Sequence, residues 1–175
     1  MVNNRDINGQ LRWIVAKENP PSLAHVALTA IATVLSYLIA RLFGLPEAYW
    51  APMSTLIVMQ LTLSAALPVA VQYIAGTAVG AAVGAAIDAY RHGSMLAFAA
   101  AVVFVGFLCV VLRVERSAFR YAGITLVIVM LVPRSTSGRL VALHRFFEVS
   151  IGIGVGLALF AIWQRIGLRL SIKTS

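Results

Sequence analysis

The chain has 175 residues, of which 61% are hydrophobic and 11% charged, and its mean hydropathy is +0.91. Soluble globular chains average roughly 45–50% apolar and about 25% charged residues. So few charges cannot clothe a water-facing surface, which excludes a solvated enzyme domain and implies an integral membrane protein. The net charge of +8 does not indicate nucleic acid. The Lys and Arg residues stand in twos and threes between apolar runs, as topology signals do, and not on one basic face.

Residues 1–20 place Ile7, Leu11, Ile14 and Val15 at helical spacing, with Arg5, Arg12 and Lys17 elsewhere. This reads either as an amphipathic helix on the lipid headgroups or as a polar tail, and it is too polar for a signal-peptide core. Asn19-Pro20-Pro21 breaks the backbone, and Ser22 is a candidate N-cap. Six apolar stretches follow, at about Leu23–Phe43, Ala48–Ala66, Pro68–Asp88, Met95–Leu112, Phe119–Val132 and Val141–Trp163. At about 1.5 Å per residue, about 20 helical residues cross a hydrocarbon core roughly 30 Å thick. All but the fifth meet that length. The fifth reaches only about 21 Å, so it either spans with Arg120 and Tyr121 snorkelling or forms a re-entrant hairpin. The expected fold is all-α, a six-helix transmembrane domain over residues 21–165, preceded by segment 1–20 and followed by a tail at 166–175.

Six crossings put both termini on one side. That side then carries Arg5, Arg12, Lys17, Arg113, Arg116, Arg120, Arg165, Arg169 and Lys173, against Arg41, Arg91, Arg134, Arg139 and Arg145 on the other. The positive-inside rule places the richer side, and both termini, in the cytoplasm.

The chain also resembles itself. Thr55-Leu56-Ile57-Val58 recurs, about 70 residues on, as Thr125-Leu126-Val127-Ile128. Tyr73, Gly76, Gly80 and Gly84 have counterparts at the same spacing in Arg145, Glu148, Gly152 and Gly156. A unit of three crossings reverses its orientation when copied, so a 3+3 inverted repeat is expected.

These glycines read as helix-packing surfaces, since bare backbone lets helices approach closely in lipid. Arg145 and Glu148 lie one turn apart on the face that Gly152 continues, which turns them toward other helices. Two readings stay open for them. They form a structural ion pair, or Arg145 attracts an anionic substrate while Glu148 acts as its counter-ion or as a protonatable switch. Asp88 reads as a solvated helix end beside Arg91 and His92, and as a second proton-coupling candidate if the bundle buries it. His25 and His144 read as interfacial. Gln60, inside the second stretch, suits an interhelical hydrogen bond or a ligand group. Tyr49-Trp50 suits the aromatic belt or stacking on an aromatic solute. Cys109 lies in an apolar run, where a thiol stays inert, and has no internal partner. Metal-ligand spacings, phosphate-cradling loops and nucleophile triads are missing from the sequence, so no cofactor, metal or enzymatic activity is expected.

Three segments carry a resemblance. Tyr49-Trp50-Ala51-Pro52-Met53-Ser54-Thr55 resembles the start of the second helix in the fusaric acid resistance (FUSC) and aromatic acid exporter family. Gly76-Thr77-Ala78-Val79-Gly80 resembles that family's Gly-Thr-x-x-Gly helix, and Arg145-Phe146-Phe147-Glu148-Val149-Ser150-Ile151-Gly152 its Arg-x-x-Glu-x-x-x-Gly helix. The resemblance runs in order from about residue 23 to 164. It implies proton-driven efflux of aromatic carboxylates or similar organic anions across the bacterial inner membrane, with Arg145 and Glu148 serving transport or its architecture. Tyr73 departs from the family, which often has Arg three residues before the Gly-Thr pair. Exporters of this kind usually join two such membrane units, so one unit implies a homodimer, with a periplasmic adaptor as a further candidate partner. The rival reading is a non-transporting accessory or assembly subunit of a larger exporter. Its Arg145 and Glu148 would satisfy each other in a sealed interface, whereas an exporter needs a polar cavity.

Overall fold

The computed structural model describes residues 22–60, 62–89, 94–111, 113, 115–132 and 136–173, with side chains up to residue 166. The segment expected over residues 1–20 lies outside the described residues, as do Arg91 and Arg134 of the loop-charge comparison and His92, read beside Asp88. Six helices are described: α1 (Leu23–Leu42), α2 (Trp50–Val58), α3 (Leu63–Asp88), α4 (Met95–Val111), α5 (Arg116–Leu131) and α6 (Gly138–Lys173). The expected all-α class is the observed one.

Local chemistry sets the ends of α1. The Ser22 hydroxyl accepts the His25 amide at 3.1 Å, as an N-cap should. At the other end Gly44 takes φ +66°, a left-handed conformation open to glycine without steric penalty. The amides of Gly44 and Leu45 then turn back to the carbonyls of Arg41 (3.0 Å) and Ala40 (3.2 Å), the paired bonds that close a helix C-terminus.

The second apolar stretch corrects the expectation. Instead of a span over Ala48–Ala66, α2 has nine residues, a length of about 13.5 Å. Thr62 ends the run by starting another helix, its hydroxyl accepting the Ala65 amide at 3.3 Å. Met59 and Thr62 are extended, with ψ of 93° and 150°. A residue that caps a new helix cannot continue the old one, and apolarity alone does not show that division. In consequence α3 begins ahead of Pro68 and carries that proline inside it, giving up the backbone bond to the Ser64 carbonyl. The short fifth stretch, by contrast, lengthens to the 16 residues of α5. By length and composition α1, α3 and the Gly138–Ile166 part of α6 can each cross a membrane, and α4 is a shorter apolar helix.

Helices α3 and α6 pack together at the centre. Helix α5 lies along α3 and α2 along α6, with α4 and α1 outside them. Exchanging the first three helices for the last three maps the set of contacting pairs onto itself. The α3–α5 contact becomes α6–α2, α4–α5 becomes α1–α2, α3–α4 becomes α6–α1, and α3–α6 maps onto itself. Single residues follow the same correspondence. A Cβ on Gly80 would collide with the Ala122 carbonyl, and one on Gly152 with the Ala51 carbonyl. Gly84 faces Leu126 and Val129, and Gly156 faces Thr55 and Met59. The packing thus has the two-fold correspondence that a 3+3 repeat requires.

The distribution of side chains is inverted relative to a soluble protein. The largest fully buried side chain is Arg145. Helix α1 turns Ala32, Ser36 and Ala40 inward and leaves Ile31, Val34, Leu35 and Leu38 outside; α4 buries Ala101 and Cys109 and exposes Val103, Phe104, Phe107 and Val110. In water such exposure would forfeit roughly 25 cal/mol for each Å² of apolar surface. Among acyl chains it forfeits nothing, and close contact of small residues then drives helix association.

The glycine contacts give a paired prediction. At Gly152 a Cβ would meet the Ala51 carbonyl and stand 2.9 Å from the Ser54 Cβ, whereas at Gly154 nothing lies within 4 Å. Gly152→Ala is expected to destabilise the detergent-purified protein by roughly 1–3 kcal/mol through overpacking. Gly154→Ala should leave it unchanged or raise its stability by up to about 1 kcal/mol through helix propensity. Matching thermal unfolding midpoints in the two variants would show that α2 does not touch α6 at Gly152.

Candidate functional site

The close approach at Gly152 brings the start of α2 against α6 one turn from Glu148. Arg145 and Glu148 are each 1% exposed. The Arg145 guanidinium carbon lies 3.7 Å from the centroid of the Trp50 ring, a cation–π contact worth on the order of 2 kcal/mol when desolvated. Its Nη2 donates to the Tyr73 hydroxyl at 3.5 Å, and the Ser54 hydroxyl donates to the same oxygen at 3.3 Å. The Tyr73 ring stacks on Tyr121, with centroids 4.1 Å apart and planes 25° apart. Nε and Nη1 of Arg145 are buried without a hydrogen-bond partner among the described residues.

A second set of bonds holds Trp50 in place. Glu148 Oε1 accepts the Glu47 backbone N–H at 3.1 Å, and Glu47 Oε2 accepts the Trp50 indole N–H at 2.8 Å. Both carboxylates lie close enough to act electrostatically on Arg145. The turn before α2 is therefore part of the site, joining Glu148 to the indole that covers the guanidinium. Thr55 closes the base of the contact, its hydroxyl donating to the Gly152 carbonyl at 2.8 Å.

Other candidates stand elsewhere. Tyr49 is 47% exposed, its ring 5.4 Å from that of Trp50. Gln60 lies past the end of α2, half-buried, and donates back to the Ile57 carbonyl of that helix at 3.1 Å. The expected burial within a span is thus corrected, because α2 stops before reaching it. Asp88 is not a solvated helix end: it is 5% exposed and packs against Gly138 in the first turn of α6, where the helix dipole favours a carboxylate. Asp88, Gly138 and Arg139 help line a cavity of about 280 Å³. An apolar one of about 380 Å³ follows the α3–α6 seam beside Ala78, Ala82, Leu143 and Phe146. Neither cavity is lined by Arg145 or Glu148. His25 meets Phe160 edge-on, with centroids 6.4 Å apart.

Sequence reasoning did not assign Glu47, Tyr73 or Tyr121 to the site. A signal existed for each. Glu47 is the lone acid between α1 and α2, Tyr73 occupies the repeat position of Arg145, and Tyr121 is the aromatic beside Arg120 at the start of the fifth stretch.

An apolar exterior around a charged, sealed interior defines a polytopic helical membrane protein. The model of the fusaric acid resistance protein-like family matches residues 31–159, and the chain belongs to that family. Membership connects the chain with membrane transport and efflux. The matched span includes Trp50, Tyr73, Tyr121, Arg145 and Glu148. No curated protein and no solved structure gives a significant match.

The hydroxyl of Tyr73 can be tested apart from its ring. Tyr73→Phe removes the acceptor shared by Ser54 and Arg145 but keeps the stack on Tyr121. It is expected to destabilise by roughly 0.5–1.5 kcal/mol, against roughly 3–5 kcal/mol for Tyr73→Ala, by thermal unfolding in detergent. Equal losses would mean that the hydroxyl, and not the stack, holds this face of Arg145.

Proposed function

We propose that the chain is a subunit of an inner-membrane exporter for aromatic carboxylic acids or related small organic anions. It works as a proton-coupled homodimer with both termini in the cytoplasm and has no enzymatic activity. The observation that carries this reading is the incomplete bonding of Arg145. A buried guanidinium that only holds helices together should direct its N–H groups to protein acceptors, because an unmet charge in a low dielectric is costly. Here Nε and Nη1 have no acceptor among the described residues and Nη2 makes one long bond. An anion delivered to Arg145 would supply charge-assisted bonds where they are strongest. The ring faces of Trp50, Tyr73 and Tyr121 would receive a planar substrate beside it.

Glu148 supplies the coupling in this scheme. An ionised carboxylate beside Arg145 opposes entry of a second anion, because like charges repel strongly away from water. Proton uptake at Glu148 removes that opposition, so proton entry and anion loading favour one another. Asp88, buried at the far end of α3, is the second candidate for proton uptake.

The accessory-subunit reading draws on a specific observation, the sealing of Arg145 and Glu148. One pair of experiments separates the two. Arg145→Ala is expected to abolish resistance of cells to an aromatic acid while the amount of protein in the membrane stays near normal. Normal resistance would remove Arg145 from transport, and loss of the protein from the membrane would favour the structural role. In proteoliposomes, an aromatic acid gradient should drive proton flux that Glu148→Gln abolishes; flux unchanged in that variant would exclude Glu148 as the coupling group.

A further inference from the structure

The two halves of the site correspond through the internal repeat. Arg145 occupies the repeat position of Tyr73, and the two touch at the centre, separated by 72 residues in sequence. Trp50 covers Arg145 from the start of α2. Tyr121 covers Tyr73 from the start of α5, the helix that corresponds to α2. The result is one pile of groups in the order Trp50, Arg145, Tyr73, Tyr121. The inner pair is fully buried, and the outer two rings are half-buried. Each outer ring follows a turn that is tied to a central helix. Glu148 of α6 accepts from Glu47 in the turn before α2. Gln72 of α3 donates to Glu115 in the turn before α5 and accepts from Ser117.

The geometry points to Tyr121, stacked on Tyr73, as the counterpart of Trp50: Arg145 is reached past Trp50 from one face of the membrane and past Tyr121 from the other. The assignment of opposite faces follows from the antiparallel packing of α3 and α6, in which Asp88 meets Gly138 and Tyr73 meets Arg145: units related in that way are inverted, and each carries its ring to the other side. Tyr121 and Tyr73 thereby join the site as the residues that bound its second entrance. The inference rests on the exporter reading of the same site and adds the route by which an anion enters and leaves.

Sided labelling tests it. Ser54 is buried, with its hydroxyl bonded to both the Tyr73 hydroxyl and the Trp50 carbonyl. Ser54→Cys, in a Cys109→Ser background, therefore reports solvent entry between the two rings. A membrane-impermeant maleimide is applied to right-side-out vesicles and to inverted vesicles. The reporter alone should react slowly from both faces. Adding Trp50→Ala should raise the rate about tenfold from one face only, the change expected when a minor open state becomes substantially populated. Adding Tyr121→Ala should do the same from the opposite face only. Trp50→Leu and Tyr121→Leu carry the same expectation and are read where an alanine variant does not accumulate. Opening toward the same face, or opening by the Trp50 change alone, would overturn the inference. Those results would leave a resistance defect in Arg145→Ala standing, whereas normal resistance in Arg145→Ala would end the exporter reading and leave the labelling pattern in place.

Discussion

The rest of the structure is arranged around a guanidinium buried away from solvent. An ionised side chain at membrane depth must face the interior of the bundle and be met there by compensating groups. Arg145 is met by the face of an indole, by a tyrosine hydroxyl and by the fields of two carboxylates. None of these lies far along α6; most are brought from α2, α3 and the turn at residues 43–49. Their arrival depends on bare backbone. If Gly152 carried a side chain, Ala51 could not lie against α6, and Trp50, the preceding residue, would not reach the guanidinium. The glycine and the arginine on α6 are therefore two parts of one device, with the first creating the proximity that the second requires.

The internal correspondence also sets which residues of the two halves meet. Helices α3 and α6 meet on the axis that relates the halves, so equivalent positions on them face each other. In this chain an arginine and a tyrosine stand there, and the Tyr73 hydroxyl accepts from the Arg145 guanidinium at 3.5 Å. Positions 76 and 148 diverge in a similar way. Gly76 lets α3 rest on the Ala118 carbonyl, whereas Glu148 reaches outward to the turn before α2.

Much of this could be read from the residues because lipid imposes simple rules. Long apolar stretches mark α1, α3, α4 and α6, and the spacing of Gly76, Gly80, Gly84, Gly152 and Gly156 marks the surfaces where helices meet. Arg145 and Glu148 stand out because charges are expensive there. What escaped detection depended on competition between local signals or on tertiary placement. Thr62 competes with the helix before it by capping the one after, and a hydropathy profile is blind to that contest. Asp88 is buried because α6 begins against it at Gly138, a contact between residues far apart in the chain. Glu47 and Tyr121 look like ordinary turn and interface residues until the fold sets one under an indole and the other on Tyr73.

The shortness of α2 bears directly on how a sealed site can open. Irregular backbone at membrane depth persists only where protein shields it or where it borders an aqueous path. Here the break after Val58 is shielded: Val58 packs with Val149 and Ile153, and Met59 packs with Leu28, Ala32 and Phe160. Helix α2 is consequently a short piece bounded on both sides by non-helical backbone, at residues 43–49 and at Met59, Gln60 and Thr62, and interrupted helices of this kind are where transporters place their sites. Its nine residues carry Trp50 at one end and Thr55 against Gly152 near the middle. The indole that covers the guanidinium is thus attached to the element least constrained by its own length.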